Sequence, residues 1–316
     1  MFRNLFVLSA LVFSTQLFSS QAIAYPVSVN SCDRELTFDK MPTKVASNDV
    51  NLTEMMLVLG LEKYMVGYTG ISGWNKLDEK MREGVAELPE LSPRYPSKEV
   101  LVNADLDFWF AGWNYGMKVG GDVTPETLEP FGIQVYELTE SCIHIMDRSG
   151  ISIDDMYNDI RNLGKIFQVE DKAEKLIGEW QTELESILAS LETESTPKVF
   201  LYDSGEDSPF TAGKFAMPTA MIEAAGGKNI MDDVESSWAK VAWEPIVERN
   251  PEVIVIVNYG EVTAEQKIEF LKKQPALSEM DAVVNDRFVV LEYVEVTPGP
   301  RNIQAIKTLA NAFHGS

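Results

Sequence analysis

Residues 170–192 read EDKAEKLIGEWQTELESILASLE, and this stretch decides the architecture that we expect of the 316-residue chain. Apolar residues recur in it at steps of three and four positions, the spacing of one helix face. They are Ala173, Leu176, Ile177, Trp180, Leu184, Ile187, Leu188 and Leu191. About 22 residues rising 1.5 Å each give a helix of roughly 33 Å, which is on the order of a small domain's diameter. Because a continuous helix is stiffer than a glycine-rich linker, the stretch predicts a rigid connection between two parts of the chain.

Strands and helices alternate on the N-terminal side of this helix. Strands are predicted at residues 43–47, 64–68, 106–111 and 133–138, after a short extended segment at 35–38. Helices are predicted at 52–59, 124–131 and 152–167. The strand at 106–111 (LDFWFA) is nearly all apolar, as expected of a strand buried on both faces. Such alternation predicts a mostly parallel sheet with helices on both sides.

A second alternating block follows the long helix. Strands are predicted at residues 198–203, 252–258 and 287–293, and helices at 218–225, 263–273 and 302–313. The fold class expected is therefore α/β, with two lobes built on parallel-dominated sheets and joined by one helix. We place an N-terminal lobe at 25–168, the connecting helix at 169–194 and a C-terminal lobe at 195–316.

The first 24 residues have the composition of a secretory signal peptide. Arg3 precedes an apolar stretch at residues 5–18, and Ala22-Ile23-Ala24 has the small-residue pattern of a cleavage site. Removal of this segment, which contains Arg3, would change the formal net charge from −22 to −23. So acidic a chain is a poor candidate for binding nucleic acid, because phosphate contacts require clustered Lys and Arg. Cys32 follows Val-Asn-Ser and not the Leu-x-x of a lipoprotein. We expect a soluble periplasmic protein without a lipid anchor.

Two cysteines, Cys32 and Cys142, are present in the chain. In an oxidising compartment a single disulfide between them is the favoured interpretation, and two unpaired thiols are the alternative.

Large aromatic residues follow several of the predicted strands. In open parallel sheets, ligands bind beyond the carboxyl ends of the strands. We therefore expect an aromatic-walled cleft between the lobes. Its predicted ligand-binding residues are Trp74, Trp113, Tyr115, Phe215, Tyr259, Tyr293 and Arg301. For the aromatics the alternative is packing of a loop or of the lobe contact. Arg301 is proposed to hold a ligand carboxylate, and a solvated arginine at a helix cap is the alternative.

Five segments carry a resemblance to known proteins: KVASNDVNLTEMMLVLGL (44–61), MVG (65–67), GGKNI (226–230), WEPIVERNPEVIVI (243–256) and NDRFVV (285–290). The group that they resemble is the periplasmic binding proteins of ABC importers for ferric siderophores, haem and cobalamin. The resemblance implies two Rossmann-like lobes, a rigid connecting helix and little closure on binding. It also implies that Glu99 and Glu244 dock onto basic residues of an inner-membrane permease, where electrostatic attraction suits an acidic protein. We expect a monomer.

The resemblance leaves the identity of the ligand open. Binders of bare zinc or manganese in the wider superfamily need about three histidines with a carboxylate, and here only His144 is placed to serve. Haem would need an axial His or Tyr, for which Tyr115, Tyr259 and Tyr293 remain available. The scarcity of cations in the strand-end loops favours a neutral or weakly charged ligand. A hydroxamate or mixed ferric chelate, a corrinoid or another cofactor-sized molecule would fit, with chelated iron or cobalt belonging to the ligand and no intrinsic cofactor.

An extracytoplasmic enzyme acting in the same cleft is the main alternative function. The sequence lacks the Gly-x-Ser-x-Gly, Gly-x-Gly-x-x-Gly, Walker and His-Glu-x-x-His motifs. We therefore expect no catalytic residues. A protein that holds a metal cluster on the same fold is a third possibility. It is disfavoured because the chain has two cysteines, too few to ligate such a cluster.

Overall fold

A computed structural model describes residues 25–191 and 195–315 of the chain. The predicted signal peptide, residues 1–24, lies outside these ranges.

The first part of the chain, which we call the N-terminal lobe, is built on a parallel sheet. Its strands are β1 (Val27–Ser31), β2 (Arg34–Phe38), β3 (Val45–Asn48), β4 (Met65–Thr69), β5 (Glu90–Ser92), β6 (Phe108–Trp113), β7 (Gly116–Met117) and β8 (Gln134–Glu137). Its helices are α1 (Val50–Val58), α2 (Glu79–Gly84), α3 (Lys98–Asn103), α4 (Pro125–Leu128) and α5 (Ile153–Ile166). The sheet order is β5-β4-β3-β6, with both β7 and β8 pairing β6, and every pair is parallel. Every residue of β6 is buried, as its apolar sequence predicts for a central strand covered on both faces.

The second part, the C-terminal lobe, repeats this design. Its strands are β9 (Lys198–Tyr202), β10 (Phe210–Ala212), β11 (Lys228–Asn229), β12 (Trp238–Lys240), β13 (Val253–Asn258) and β14 (Phe288–Glu292). The sheet order is β11-β9-β13-β14, all parallel, and β10 and β12 form a separate antiparallel pair. The α/β class with parallel central sheets is confirmed.

One long helix, α6 (Glu170–Ser190), lies between the two sheets in the chain. Its 21 residues span roughly 30 Å at 1.5 Å per residue. It packs against α5 of the N-terminal lobe and against the last helix of the C-terminal lobe. Gly164 permits the close approach to α5, because a Cβ there would lie 2.8 Å from the Cβ of Ala173. Leu188, predicted on the apolar face, is 45% exposed, so the buried stripe is narrower near the end of the helix.

The helices of the C-terminal lobe complete the layers around its sheet. They are α7 (Met217–Ala224), α8 (Trp243–Arg249), α9 (Ala264–Lys273), α10 (Asp281–Val284), α11 (Tyr293–Val296) and α12 (Asn302–His314). The longer predicted helices and strands of both lobes are present within a few residues of their predicted bounds. The short elements α2, α3, α8, β5 and β10 to β12 were not predicted, since two to seven residues carry little periodicity.

A disulfide joins Cys32 and Cys142, as predicted. Cys32 lies in the turn of the antiparallel β1–β2 hairpin, and Cys142 in the 3₁₀ helix Thr139–His144 that follows β8. The bond therefore fastens the start of the described chain to a segment that borders the space between the lobes. Over residues 25–191 and 195–315, no helix has both the length and the apolar character needed to cross a bilayer.

Candidate functional site

A cavity of about 420 Å³ opens between the lobes, where strands of both sheets end. This volume lies in the range of small-molecule sites. The N-terminal lobe contributes Trp74, Lys76, Tyr95, Asn114, Tyr115 and His144, and the C-terminal lobe contributes Asp203, Phe210, Ser237, Trp238, Tyr259 and Tyr293. Of the predicted ligand-binding residues, Trp74, Tyr115, Tyr259 and Tyr293 line this cavity. Trp113, Phe215 and Arg301 do not.

Trp113 and Tyr115 point in different directions, and of the two only Tyr115 lies at the cavity. Trp113 is the last residue of β6, and its indole Nε1 donates to Glu137 Oε1 at 2.8 Å inside the N-terminal lobe. Asn114 then adopts a left-handed conformation, with φ at 63°, within a tight turn in which Gly112 and Tyr115 exchange backbone hydrogen bonds. The turn carries Tyr115 into the cavity wall while Trp113 stays in the lobe's core.

Arg301 joins the two lobes and does not face the cavity. Its Nε donates to both carboxylate oxygens of Glu54 at 2.9 Å, and its terminal nitrogens bond Asp78. Glu54 belongs to α1 and Asp78 is the N-cap of α2, so the pairs cross from the start of α12 to the other lobe. The guanidinium thus pairs with two protein carboxylates, and the structure does not bring Arg301 to the cavity where a ligand carboxylate was expected. Phe215 is buried, its backbone N–H donates to the Ser236 carbonyl at 3.0 Å, and it likewise lies outside the lining.

A buried ion pair lies at the side of the cavity next to β3. The Asp49 carboxylate accepts from Lys76 Nζ at 2.6 Å, from the Tyr293 hydroxyl at 3.0 Å and from the backbone N–H of Val50 at 2.7 Å. Asp49 is the N-cap of α1, where the helix dipole also favours a negative charge. Lys76 Nζ lies 3.9 Å from the centre of the Tyr293 ring, a cation–π contact. The one lysine in the lining is therefore already neutralised by the protein.

A second carboxylate, Asp203, lies at the end of β9. It accepts hydrogen bonds from the hydroxyls of Ser204 at 2.7 Å and Tyr259 at 2.9 Å. Burial raises the pKa of Asp203, and these two hydrogen bonds and the charge of Lys267 act in the opposite direction. Tyr259 also packs against Tyr293 with ring centres 4.9 Å apart, so the two lobes' polar clusters meet through aromatic rings.

The four tyrosines of the cavity all direct their hydroxyl protons into the protein. Tyr115 donates to Glu140, Tyr259 to Asp203 and Tyr293 to Asp49, and Tyr95 donates to the backbone oxygen of Asn114. Burial raises the pKa of each of these phenols, so they remain protonated. Toward a ligand they offer ring faces and not donated protons.

The remaining rings form the outer parts of the wall. Phe210 and Trp238 stack with centres 5.7 Å apart on the antiparallel β10–β12 pair. On the opposite side, the guanidinium carbon of Arg94 lies 4.4 Å from the centre of the Trp74 ring. Burial lowers the pKa of His144, which favours its neutral form, and its Nε2 lies 3.1 Å from Asn114 Nδ2.

Among residues 25–191 and 195–315, no group of three His, Cys, Asp or Glu side chains gathers that could hold a metal ion. A larger depression, about 530 Å³, lies beside the disulfide, but residues of the N-terminal lobe alone line it.

Glu99 and Glu244, the predicted docking residues, occupy equivalent positions in the two lobes. Both are exposed, and each stands in the first turn of a short helix, α3 for Glu99 and α8 for Glu244. Neither contributes to the cavity lining.

Several lining residues were missed by sequence reasoning. Asp203 directly follows β9 and could have been found from its position at a strand end. Lys76 and Tyr95 lie in irregular segments beyond β4 and β5, and Trp238 lies on a three-residue strand, where no periodicity marks them.

The sequence profile of the family described as "Periplasmic binding protein" matches residues 45–293, a range that holds both sheets and every residue of the cavity lining. An uncharacterized ABC transporter substrate-binding lipoprotein of Bacillus subtilis, YvrC, is 24% identical over 295 residues, covering 92% of this chain and 86% of that protein. A cobalamin-binding protein of Halobacterium salinarum is 23% identical over 304 residues, covering 94% of this chain and 77% of that protein. A solved periplasmic binding protein from Veillonella parvula superposes with a TM-score of 0.79 at 28% identity, covering 92% of this chain and 98% of the other.

Proposed function

The chain belongs to the periplasmic binding protein family, and from that premise we propose that it captures one compact metal chelate or cofactor-like molecule between its lobes and delivers it to the permease of an ABC importer. The observation that carries the proposal is the cavity itself, whose aromatic lining is contributed by the strand ends of both lobes. Such a wall suits a flat or apolar-faced solute. The ligand-binding residues proposed are Trp74, Tyr115, Tyr259 and Tyr293.

The charges at the cavity favour a neutral or weakly charged ligand. Lys76 is paired with Asp49 and is unavailable to neutralise an anion. Asp203 adds a carboxylate to the lining. A triply anionic ferric catecholate would bring further negative charge into a space that offers it no free cation among the described lining residues.

The hydrogen-bonding groups refine this class. The cavity tyrosines donate their hydroxyl protons to protein groups and so do not donate toward the ligand, while the carboxylate of Asp203 adds an acceptor to the lining. We infer that the edge of the ligand carries N–H or O–H donors. A corrinoid, with amide groups around its ring, fits this requirement, and a relative in Halobacterium salinarum is named a cobalamin-binding protein. A neutral ferric hydroxamate with amide N–H groups is the second member of the class.

We also propose that the mature protein is soluble in the periplasm. The Bacillus subtilis relative is named a lipoprotein, and lipoproteins are acylated on a free cysteine. Cys32 and Cys142 are joined in a disulfide, and this bond supports the proposal that neither of them carries a lipid.

Delivery is proposed to use Glu99 and Glu244, one exposed carboxylate on each lobe, to meet basic residues of the permease. Charge pairs between separate surfaces chiefly set the association rate and the register of docking. Reversing both charges (Glu99→Arg with Glu244→Arg) should abolish uptake into cells while the ligand affinity of the purified protein stays unchanged. Normal transport by the double variant would refute the docking role. Glu248→Arg, an exposed acid of α8 outside its first turn, is the matched control.

The ligand class can be tested by titrating the purified protein with cyanocobalamin, ferrichrome and ferric enterobactin in a calorimeter. We expect one equivalent of a neutral compound to bind and the trianionic catecholate to fail. Mass spectrometry of the recovered ligand separates binding from catalysis, because the alternative function, an enzyme in the same cleft, would return a changed compound. Binding of the catecholate in preference to both neutral compounds would refute the charge argument.

The aromatic wall has a control within the chain. Trp74→Ala and Trp238→Ala should each weaken binding at least tenfold, because stacking area is lost from the wall. Trp180 lies on α6 and stacks on Tyr157 at 6.4 Å, away from the cavity. Trp180→Ala should therefore leave the affinity of the folded protein within twofold of the wild type. Equal losses in all three variants would argue against the proposed cavity.

A further inference from the structure

One carboxylate of the N-terminal lobe caps a helix of the C-terminal lobe. Glu140 lies in the 3₁₀ helix after β8 and is 1% exposed. Its Oε1 accepts the backbone N–H of Met217 at 2.6 Å, and its Oε2 accepts the Tyr115 hydroxyl at 2.8 Å. The same side chain thus contacts the cavity wall and the other lobe.

Met217 is the first residue of α7, where backbone N–H groups have no partner within the helix. A Ser, Thr, Asp or Asn at the N-cap usually supplies one. The N-cap of α7 is Ala216, which makes no side-chain cap. Glu140, 77 residues earlier, takes over this role, and the dipole of α7 favours its negative charge.

The surroundings of Glu140 bring the pKa of its carboxyl close to neutral pH. Burial raises the pKa of Glu140 to about 7, while the bonds from Met217 and Tyr115 and the charge of Arg148 lower it, and Asp155 raises it further. Arg148 and Asp155 pair with each other at 2.6 Å. The carboxylate therefore relies on the Met217 and Tyr115 contacts for its stabilisation.

We propose that Glu140 is a positioning residue: by capping α7 while it holds Tyr115, it sets the spacing of the two lobes across the cleft before a ligand enters. This inference goes beyond the proposed function, because it concerns how the two lobes are held relative to each other and not which molecule binds. Its consequence for affinity rests on the proposed function. Loss of Glu140 would release the cavity wall and the start of α7 together.

Backbone amide exchange of Met217, measured by NMR on the ligand-free protein, tests the contact directly. In Glu140→Ala the exchange rate should rise at least tenfold, because the acceptor is gone. Glu140→Gln keeps one carbonyl oxygen for two donors, and we expect a rise of about threefold or more. Met217 exchange at the wild-type rate in Glu140→Gln overturns the proposal, including where Glu140→Ala fails to fold.

Glu137→Gln is the matched control. Glu137 lies three residues earlier, is also 1% exposed, and bonds Ser31, Arg34 and Trp113 within its own lobe. Its substitution should lower stability without changing Met217 exchange. A rise in Glu137→Gln equal to that in Glu140→Gln would mean general loosening and would also overturn the proposal.

The affinity arm uses cyanocobalamin or ferrichrome, whichever binds the wild-type protein. Glu140→Gln should weaken binding of that compound about tenfold, and Glu137→Gln should weaken it by less than twofold. An unchanged affinity in Glu140→Gln overturns the positioning role. If neither compound binds the wild type, the proposed ligand class fails, and the exchange measurement still decides the contact.

Discussion

Substitution of Arg301 by glutamine tests whether this residue fastens the lobes together or holds a ligand. In the structure its guanidinium bonds Glu54 and Asp78 of the N-terminal lobe, and the Glu54 side chain is only 3% exposed. Removing one partner of a buried pair costs about 3–5 kcal/mol, because the other charge is left buried and unpaired.

The contacts that remain set the expected size of the effect. After the substitution Glu54 retains Lys80 at 3.6 Å, but the Lys80 side chain is 74% exposed. An exposed partner contributes roughly 1 kcal/mol or less. We therefore expect a loss of about 3 kcal/mol in the free energy of unfolding, which lowers the folding equilibrium constant by about two orders of magnitude.

Urea unfolding, followed by circular dichroism and by tryptophan fluorescence, measures this loss, and coincidence of the two curves checks the two-state analysis. The control is Arg161→Gln, since Arg161 pairs with Glu174 at 2.9 Å on the surface. It should cost less than about 1 kcal/mol. Adding Glu54→Gln to Arg301→Gln removes the unpaired charge and should recover part of the loss.

Two results would refute this reasoning. One is a loss in Arg301→Gln no larger than that in Arg161→Gln. The other is a tenfold fall in ligand affinity with unchanged stability, which would restore the original prediction that Arg301 holds a ligand carboxylate.

Three further outcomes follow from particular contacts. The Cys32–Cys142 bond closes a loop across a separation of 110 residues. Replacing both cysteines by serine should lower the free energy of unfolding by about 4–5 kcal/mol, because the unfolded chain gains entropy when the loop is opened. Urea unfolding measures this loss, and a loss under about 1 kcal/mol would contradict the prediction. Burial raises the pKa of Glu140 from 4.5 to about 7, so the folded protein holds a proton there that the unfolded chain has already lost. The resulting contribution to the free energy of unfolding is complete below pH 4.5 and is lost as the pH rises through 7, a change of about 3 kcal/mol. The difference between wild type and Glu140→Gln should show that slope, and parallel pH profiles would exclude it. Gly116 has φ at 107°, and a Cβ there would lie 2.7 Å from Asn48 Cγ. Gly116→Ala should therefore lower the free energy of unfolding by about 1–3 kcal/mol, as measured by thermal unfolding, and disturb the turn that directs Tyr115 into the cavity.

The order of strands and helices, the connecting helix and the α/β class could be predicted from the sequence, because each depends on periodicity within one segment. The predicted strand 252–258 (EVIVIVN) is apolar from Val253 to Val257 because both of its faces are covered, and α6 shows one apolar face because only one side is packed. The rule that ligands lie beyond strand ends then located Trp74, Tyr115, Tyr259 and Tyr293 at the cavity.

Only the tertiary structure decided which aromatic faces the cavity and which charge pairs with which. Trp113 and Tyr115 are two residues apart and chemically alike as wall residues. The left-handed turn at Asn114 separates them, one into the core and the other into the cleft. Arg301 meets Glu54 across 247 positions of sequence, and Glu140 meets Met217 across 77. Contacts of this kind depend on how the two sheets face each other. Local sequence patterns specify each sheet, but they do not specify which residues meet across the space between the sheets, because those partners lie far apart in the chain.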